Sequence, residues 1–100
     1  MTSVVYEATK GAVAVLTKMF AKQGAPKGVL VNTVCPGAMK TQMLLNETPA
    51  EVVQYSLGQI PLNRLAEPME VARMVAWLAS DEASYTTGAT FDIVGGRVMR

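Results

Sequence analysis

Two apolar, β-branched runs constrain this 100-residue chain more than anything else in it. Gly28 to Val34 reads GVLVNTV, without clean alternation of apolar and polar side chains, and a strand of that kind is buried on both faces of a parallel sheet. Ala89 to Val94, introduced by Gly88, is the second such run. Parallel neighbours cannot be joined by a tight hairpin and need a long, right-handed crossover, usually helical. The intervening sequence is of that kind, so the two runs should lie side by side in one α/β sheet. Each stops at a breaker, Pro36-Gly37 and Gly95-Gly96.

The helices are readable from spacing. From about Ser3 to Gln23, Val5, Ala8, Ala12, Leu16 and Met19 recur at three- and four-residue steps and predict a buried stripe. Lys18 and Lys22 suit the negative end of that helix, and Gly24 with Pro26 ends it. Thr48, Pro49 and Glu51 have the form of an N-cap, a first-turn proline and a capping-box partner, which predicts a short helix ending near Gly58. A further helix opens at Pro68 and runs to about Ser80, with Val71, Met74, Val75 and Leu78 on its core face. No internal repeat or low-complexity tract interrupts this order.

Composition excludes several classes of partner. A net charge of +1 offers no electrostatic footprint for nucleic acid or an anionic membrane surface. The longest apolar stretches, such as Val13 to Leu16 and Met74 to Ala79, fall far short of the roughly 20 residues needed to span a bilayer. Met1 to Val5 lacks the basic and apolar regions of an export signal. Cys35 is the single cysteine, so no intrachain disulfide can form and a reducing, cytoplasmic setting is expected.

Chemistry enters with Tyr6 and Lys10, one helical turn apart at the front of the first helix. A cation near a phenol favours phenolate and lowers the tyrosine pKa, which suits Tyr6 to general acid/base work. The spacing alone is common on solvated helices. Four blocks in this order, YEATKGAVAVLTK, VNTVCPGAMKT, PLNRLAEPMEVARMVAWLAS and YTTGATFDIVGG, are far more specific. Together, from about Tyr6 to Gly96, they resemble the C-terminal part of a short-chain dehydrogenase/reductase.

That resemblance implies a fold and a set of roles. The fold would be the last two strands and flanking helices of a Rossmann-type, doubly wound parallel sheet, with residues 1–100 as one partial domain. Tyr6 matches the tyrosine of the family's Y-x-x-x-K motif, which exchanges a proton with the substrate oxygen. Lys10 matches its lysine, which holds the nicotinamide ribose and depresses the tyrosine pKa. Pro36, Gly37 and Thr41 match the P-G-x-x-x-T pattern beside the nicotinamide. The resemblance places Met39, Met43, Leu44 and Leu45 in a segment that commonly covers substrate, although a small helix burying its own side chains is an equal alternative. Asn63 and Arg64 fall in a family loop without catalytic duties, and Trp77 suits a core or subunit contact. The implied cofactor is NAD or NADP and the substrate a small alcohol or carbonyl compound. Homo-oligomers are common in the family, with contacts from the tyrosine-bearing helix and from the last helix and strand.

The family's glycine-rich phosphate turn, its catalytic serine and its active-site asparagine all belong before the tyrosine, where this sequence has Met1 to Val5. Three expectations are then open. The chain is a fragment of a nicotinamide-dependent oxidoreductase, inactive alone; or it is a non-enzymatic module that docks onto a complete paralogue or a separate nucleotide-binding half; or it is a decayed product without function. In each case the run Gly28 to Val34 would keep one open edge, which favours association over a compact monomer.

Overall fold

The computed structural model describes residues 4–97, apart from the side chains of Tyr6, Met43, Leu44 and Leu45. In chain order the elements are α1 (Val4–Gly24), β1 (Thr33–Pro36), α2 (Gln42–Glu47), α3 (Ala50–Gly58), α4 (Pro68–Leu78) and β2 (Thr90–Ile93). Single 3-10 turns lie at Ala25–Lys27 and Asp81–Ala83. β1 and β2 pair as the two-stranded sheet found among the described residues. Thr33 N donates to Ala89 O and Gly37 N to Ile93 O, both at 2.9 Å, so the partner advances in step with the strand and the pair is parallel. The α/β architecture is therefore the one the two apolar runs predict. By internal contacts the chain forms two units, Met1–Val34 with Leu78–Phe91 and Cys35–Trp77 with Asp92–Arg100.

In the first unit, α1 has alanine at four positions, Glu7 in its first turn and Lys22 in its last, a combination that suits helix propensity and dipole together. Its shielded stripe differs from the predicted one. Thr17 and Ala21 are buried, Ala14 and Lys10 are half-buried, while Val5, Leu16 and Met19 are exposed. Small side chains let the helix pack closely. Thr17 is satisfied by donating to Val13 O at 2.8 Å and by a hydroxyl contact with Thr33, so a polar side chain occupies the inner face without cost. The large apolar residues stand on the other face, which hydrophobic spacing alone cannot tell from the inner one.

β1 also starts later than predicted. Gly28, with φ of 73°, closes the 3-10 turn, and Val29 N bonds back to Gly24 O at 3.0 Å, so both residues finish α1. Val31 and Asn32 pair partly through side chains, although Val31 O also accepts a backbone bond from Gly88 N at 2.7 Å. Val31 N donates to Thr87 Oγ1 at 3.0 Å, and Asn32 bridges Thr86 O and Ala89 N at 2.9 and 3.2 Å. An amide and a hydroxyl thus stand in for two of the bonds that a regular strand would make, beside the one backbone bond.

The second unit is built on close backbone approaches. A Cβ on Gly95, at φ of 62°, would lie 2.7 Å from Ile60 Cγ2, and Leu62 N donates to Gly95 O at 3.0 Å. Only glycine fits there, against the buried Ile60. α3 begins at Ala50 with Pro49, not Thr48, as its N-cap and with no side-chain cap. With Pro49 as N-cap, Glu51 falls at N2 and the apolar Val52 at N3, and proline has no N–H to donate, so the predicted capping box does not form. On α4, Val71, Met74 and Leu78 are half-buried as predicted; Val75 is exposed, and Glu70 takes a shielded position instead.

Glu70 anchors the start of α4. Its Oε1 accepts from Glu67 N at 2.9 Å, and Arg64 reaches it in bidentate fashion, Nη1 to Oε1 at 2.7 Å and Nη2 to Oε2 at 2.9 Å. The Arg64 hydrogen bond, seconded by the Glu67 N–H, holds the Glu70 carboxyl at about 2 instead of 4.5. The same bond raises Arg64.

This packing makes two predictions. Ala21→Leu should destabilise the chain by about 1–3 kcal/mol through overpacking, whereas Met19→Lys on the exposed face should shift stability by less than about 0.5 kcal/mol, read by thermal unfolding. Because the Glu70 pKa is depressed, its contribution to stability is fully present above about 4.5 and is lost as pH falls towards about 2. A carboxyl NMR titration should find that low midpoint, and Arg64→Met should move it up towards the ordinary carboxylate range.

Candidate functional site

The residues singled out by sequence fall into two groups, one in each unit, and each is described by itself. The first is on α1. Tyr6 and Lys10 lie one turn apart within it, and Lys10 heads the shielded stripe that continues through Ala14, Thr17 and Ala21 at three- and four-residue steps. The Tyr6 side chain, on which the acid/base expectation rests, lies outside the described residues. Lys10 is half-buried, whereas Lys18, Lys22, Lys27 and Lys40 are all exposed. A lysine held partly out of water at the head of a packed stripe departs from the solvated helix lysine that spacing alone would suggest.

The second group lies just beyond β1. Pro36 is exposed at the strand's end, and Gly37 and Thr41 are half-buried. The resemblance sets Gly37 beside a nicotinamide; among the described residues its backbone closely approaches the chain itself. A Cβ on Gly37 would stand 3.3 Å from Val94 Cα, tighter than a side chain normally tolerates. Farther along, Met39 forms a parallel bridge with Ala66, with Lys40 N donating to Ala66 O at 2.8 Å and Ala66 N to Ala38 O at 3.1 Å. Thr41 N then donates to Met39 O at 2.9 Å. The loop is therefore held along its length by backbone bonds, although it belongs to no regular ladder. Lys40 and Glu67 stand 3.7 Å apart, both well exposed, a pair of little energetic weight.

Met39 is half-buried, while the side chains of Met43, Leu44 and Leu45 on α2 lie outside the described residues, so the expectation that they wall a substrate does too. A small cavity of about 70 Å³ behind the loop is lined by Ala38, Ile60, Leu62, Ala66, Ile93 and Val94, among others. Arg64 and Glu70 also line it, and it is far below the roughly 300 Å³ of a small-molecule site. The feature that sequence reasoning passed over is the Arg64–Glu70 pair. Its signal is present in Glu67-Pro68-x-Glu70, a reach-back carboxylate three residues into a helix, with an arginine just upstream.

Comparison with known proteins bears on the family and the fold. A family profile described as enoyl-(acyl carrier protein) reductase matches residues 1–97. The acetoacetyl-CoA reductase of Rhizobium meliloti is 45% identical over 98 residues, which cover 97% of this chain and 40% of that protein. The 3-alpha-(or 20-beta)-hydroxysteroid dehydrogenase of Mycobacterium tuberculosis is 47% identical over 93 residues, or 93% of this chain and 34% of its own length. Among solved structures, the 3-oxoacyl-[acyl-carrier protein] reductase of Brucella melitensis superposes with a TM-score of 0.89 at 38% identity, covering 95% of this chain and 35% of that one. The chain thus spans about two fifths or less of these relatives, and the profile match over residues 1–97, with the parallel strand pair that superposes on a solved reductase, makes it a member of the short-chain dehydrogenase/reductase family.

Proposed function

We propose that this chain supplies the acid/base and nicotinamide-facing part of a NAD- or NADP-dependent oxidoreductase that interconverts a small alcohol and its carbonyl compound. The observation that carries the reading is a partly shielded Lys10 one turn after Tyr6, on a helix whose sequence is part of the 93–98 residues matched by named reductases and dehydrogenases. Residues 1–100 would form a single partial domain of such an enzyme. When bound, the nicotinamide cofactor supplies or accepts the hydride at the substrate carbon.

The chain's own residues handle the rest. In reduction, the Tyr6 phenol gives its proton to the carbonyl oxygen as the C–O bond becomes an alcohol; in oxidation the phenolate takes it back. The Lys10 ammonium stabilises that phenolate and offers donors to ribose hydroxyls. Pro36, Gly37 and Thr41 would lie along the nicotinamide, with a Thr41 hydroxyl that by its chemistry can donate or accept. The loop stands at the carboxyl end of a parallel strand, where open α/β sheets bind ligands. Met39, Met43 and Leu44 would meet the substrate as an adaptable apolar wall.

As a polypeptide of these hundred residues alone, the chain should bind the cofactor weakly and turn over nothing, because no glycine-rich phosphate turn contributes. Association is part of the proposal. Leu16, Phe20 and Trp77 are exposed in the isolated chain, and among the described residues each strand pairs only with the other. A homo-oligomer would cover such surface.

In a full-length protein carrying this sequence, Tyr6→Phe should lower kcat by roughly 100-fold to 10,000-fold while leaving cofactor affinity close to unchanged, since only the transferable proton is removed. Steady-state kinetics with NADH and NADPH, paired with a fluorescence titration of each cofactor, provides the check. Ordinary turnover in the phenylalanine variant would remove Tyr6 from the mechanism.

A further inference from the structure

Two of the backbone bonds that hold the proline-glycine loop run to one residue outside it. Ala66 both accepts from Lys40 N, at 2.8 Å, and donates to Ala38 O, at 3.1 Å, so it fixes the loop from two sides. Nothing in the Ala66 side chain explains why it stands where it does; its neighbours in sequence do. Asn63, at φ of 55°, turns the chain through a left-handed conformation that asparagine tolerates, with its N–H donating to Ile60 O at 2.7 Å. Arg64 then spans to Glu70 through two parallel hydrogen bonds, and Glu70 also accepts from Glu67 N. Glu70 N in turn donates to Glu67 O at 2.9 Å. Residues on both sides of Ala66 are thereby tied to the first turn of α4.

We propose that Arg64 and Glu70 are positioning residues for the cofactor: their bidentate pair braces Ala66, and Ala66 sets the backbone of the Gly37–Thr41 loop. This rests on the proposed contact between that loop and the nicotinamide. An exposed ion pair between flexible side chains contributes little on its own. Here the fork geometry and the shared Glu67 N–H restrict Glu70 to one arrangement, so the pair acts as a geometric constraint more than as a source of attraction. Arginine is required because lysine, a single ammonium on a flexible stem, cannot grip both carboxylate oxygens in parallel.

The test separates the brace from the functional reading. In the 100-residue chain, amide hydrogen exchange is compared between the unmutated protein, Arg64→Met, Arg64→Lys and Glu70→Gln. The expected result is an acceleration of about fivefold at Lys40 and Ala66 in Arg64→Met and Glu70→Gln, partial recovery in Arg64→Lys, and little change at Gly37, whose N–H bonds to Ile93 O instead. In a full-length protein carrying this sequence, Arg64→Met should raise the KM for the nicotinamide cofactor by a similar factor with kcat within about twofold. Uniform acceleration at all three amides would reduce the pair to a general stabiliser, and no acceleration would abolish the brace; either overturns the proposal. Selective acceleration with an unchanged cofactor KM overturns the link to the cofactor. If the unmutated full-length protein uses neither NADH nor NADPH, the functional reading falls and the cofactor role falls with it, while the exchange pattern still decides whether the brace exists.

Discussion

The place of the proline-glycine loop hangs from the parallel pairing of β1 with β2. Parallel strands are joined only by a long connection, and here that connection carries α2, α3 and α4. The pairing also determines where β1 must stop. Gly37 N makes its bond to Ile93 O, and at that point the chain passes so close to Val94 that a side chain on Gly37 would be crowded. From Ala38 onward the chain becomes a loop at the carboxyl end of a parallel strand, where this class of fold presents its backbone to ligands.

The two units solve the same problem by different means. In the first, α1 turns small side chains inward, with Thr17 satisfied by Val13 O and by the hydroxyl of Thr33, so the helix can approach closely without a large apolar filler. In the second, glycine at position 95 allows contact with Ile60, and an exposed bidentate ion pair ties the start of α4 to Arg64. Large apolar residues such as Leu16, Phe20 and Trp77 are left on the surface of the isolated chain. That distribution fits a polypeptide whose relatives are more than twice as long and offer further surface for such residues to meet.

Much of this fold is legible in the sequence because it rests on local rules. The breaker pairs at Pro36-Gly37 and Gly95-Gly96 fix where strands end, and the proline at position 68 fixes where α4 begins, so those boundaries fall close to expectation. The inner face of α1 is not legible. Periodicity finds a stripe of valine and leucine, but which stripe packs inward depends on how closely the neighbouring backbone comes, and that is a tertiary property. The start of β1 is hidden for a related reason: Asn32 and Thr87 imitate backbone groups, and no propensity for valine can reveal that. Tyr6, Lys10, Pro36, Gly37 and Thr41 stand out as candidates through family resemblance and not through spacing. Arg64, expected to be a loop residue without catalytic duties, makes its bidentate contact with a partner six positions away, which periodicity does not reveal.

The central claim is that one half-buried ammonium, Lys10, serves both the proton chemistry of Tyr6 and the binding of a nicotinamide cofactor. Steady-state kinetics of Lys10→Ala in a full-length protein carrying this sequence tests it most directly, with kcat and the cofactor KM measured together. Both should worsen in the single variant, kcat by roughly 100-fold or more because the acid/base pair is broken, and the cofactor KM because the ribose donors are gone. A Lys10→Ala enzyme with unaltered cofactor KM and ordinary kcat would show that Lys10 is a packing residue of α1, and would contradict the claim.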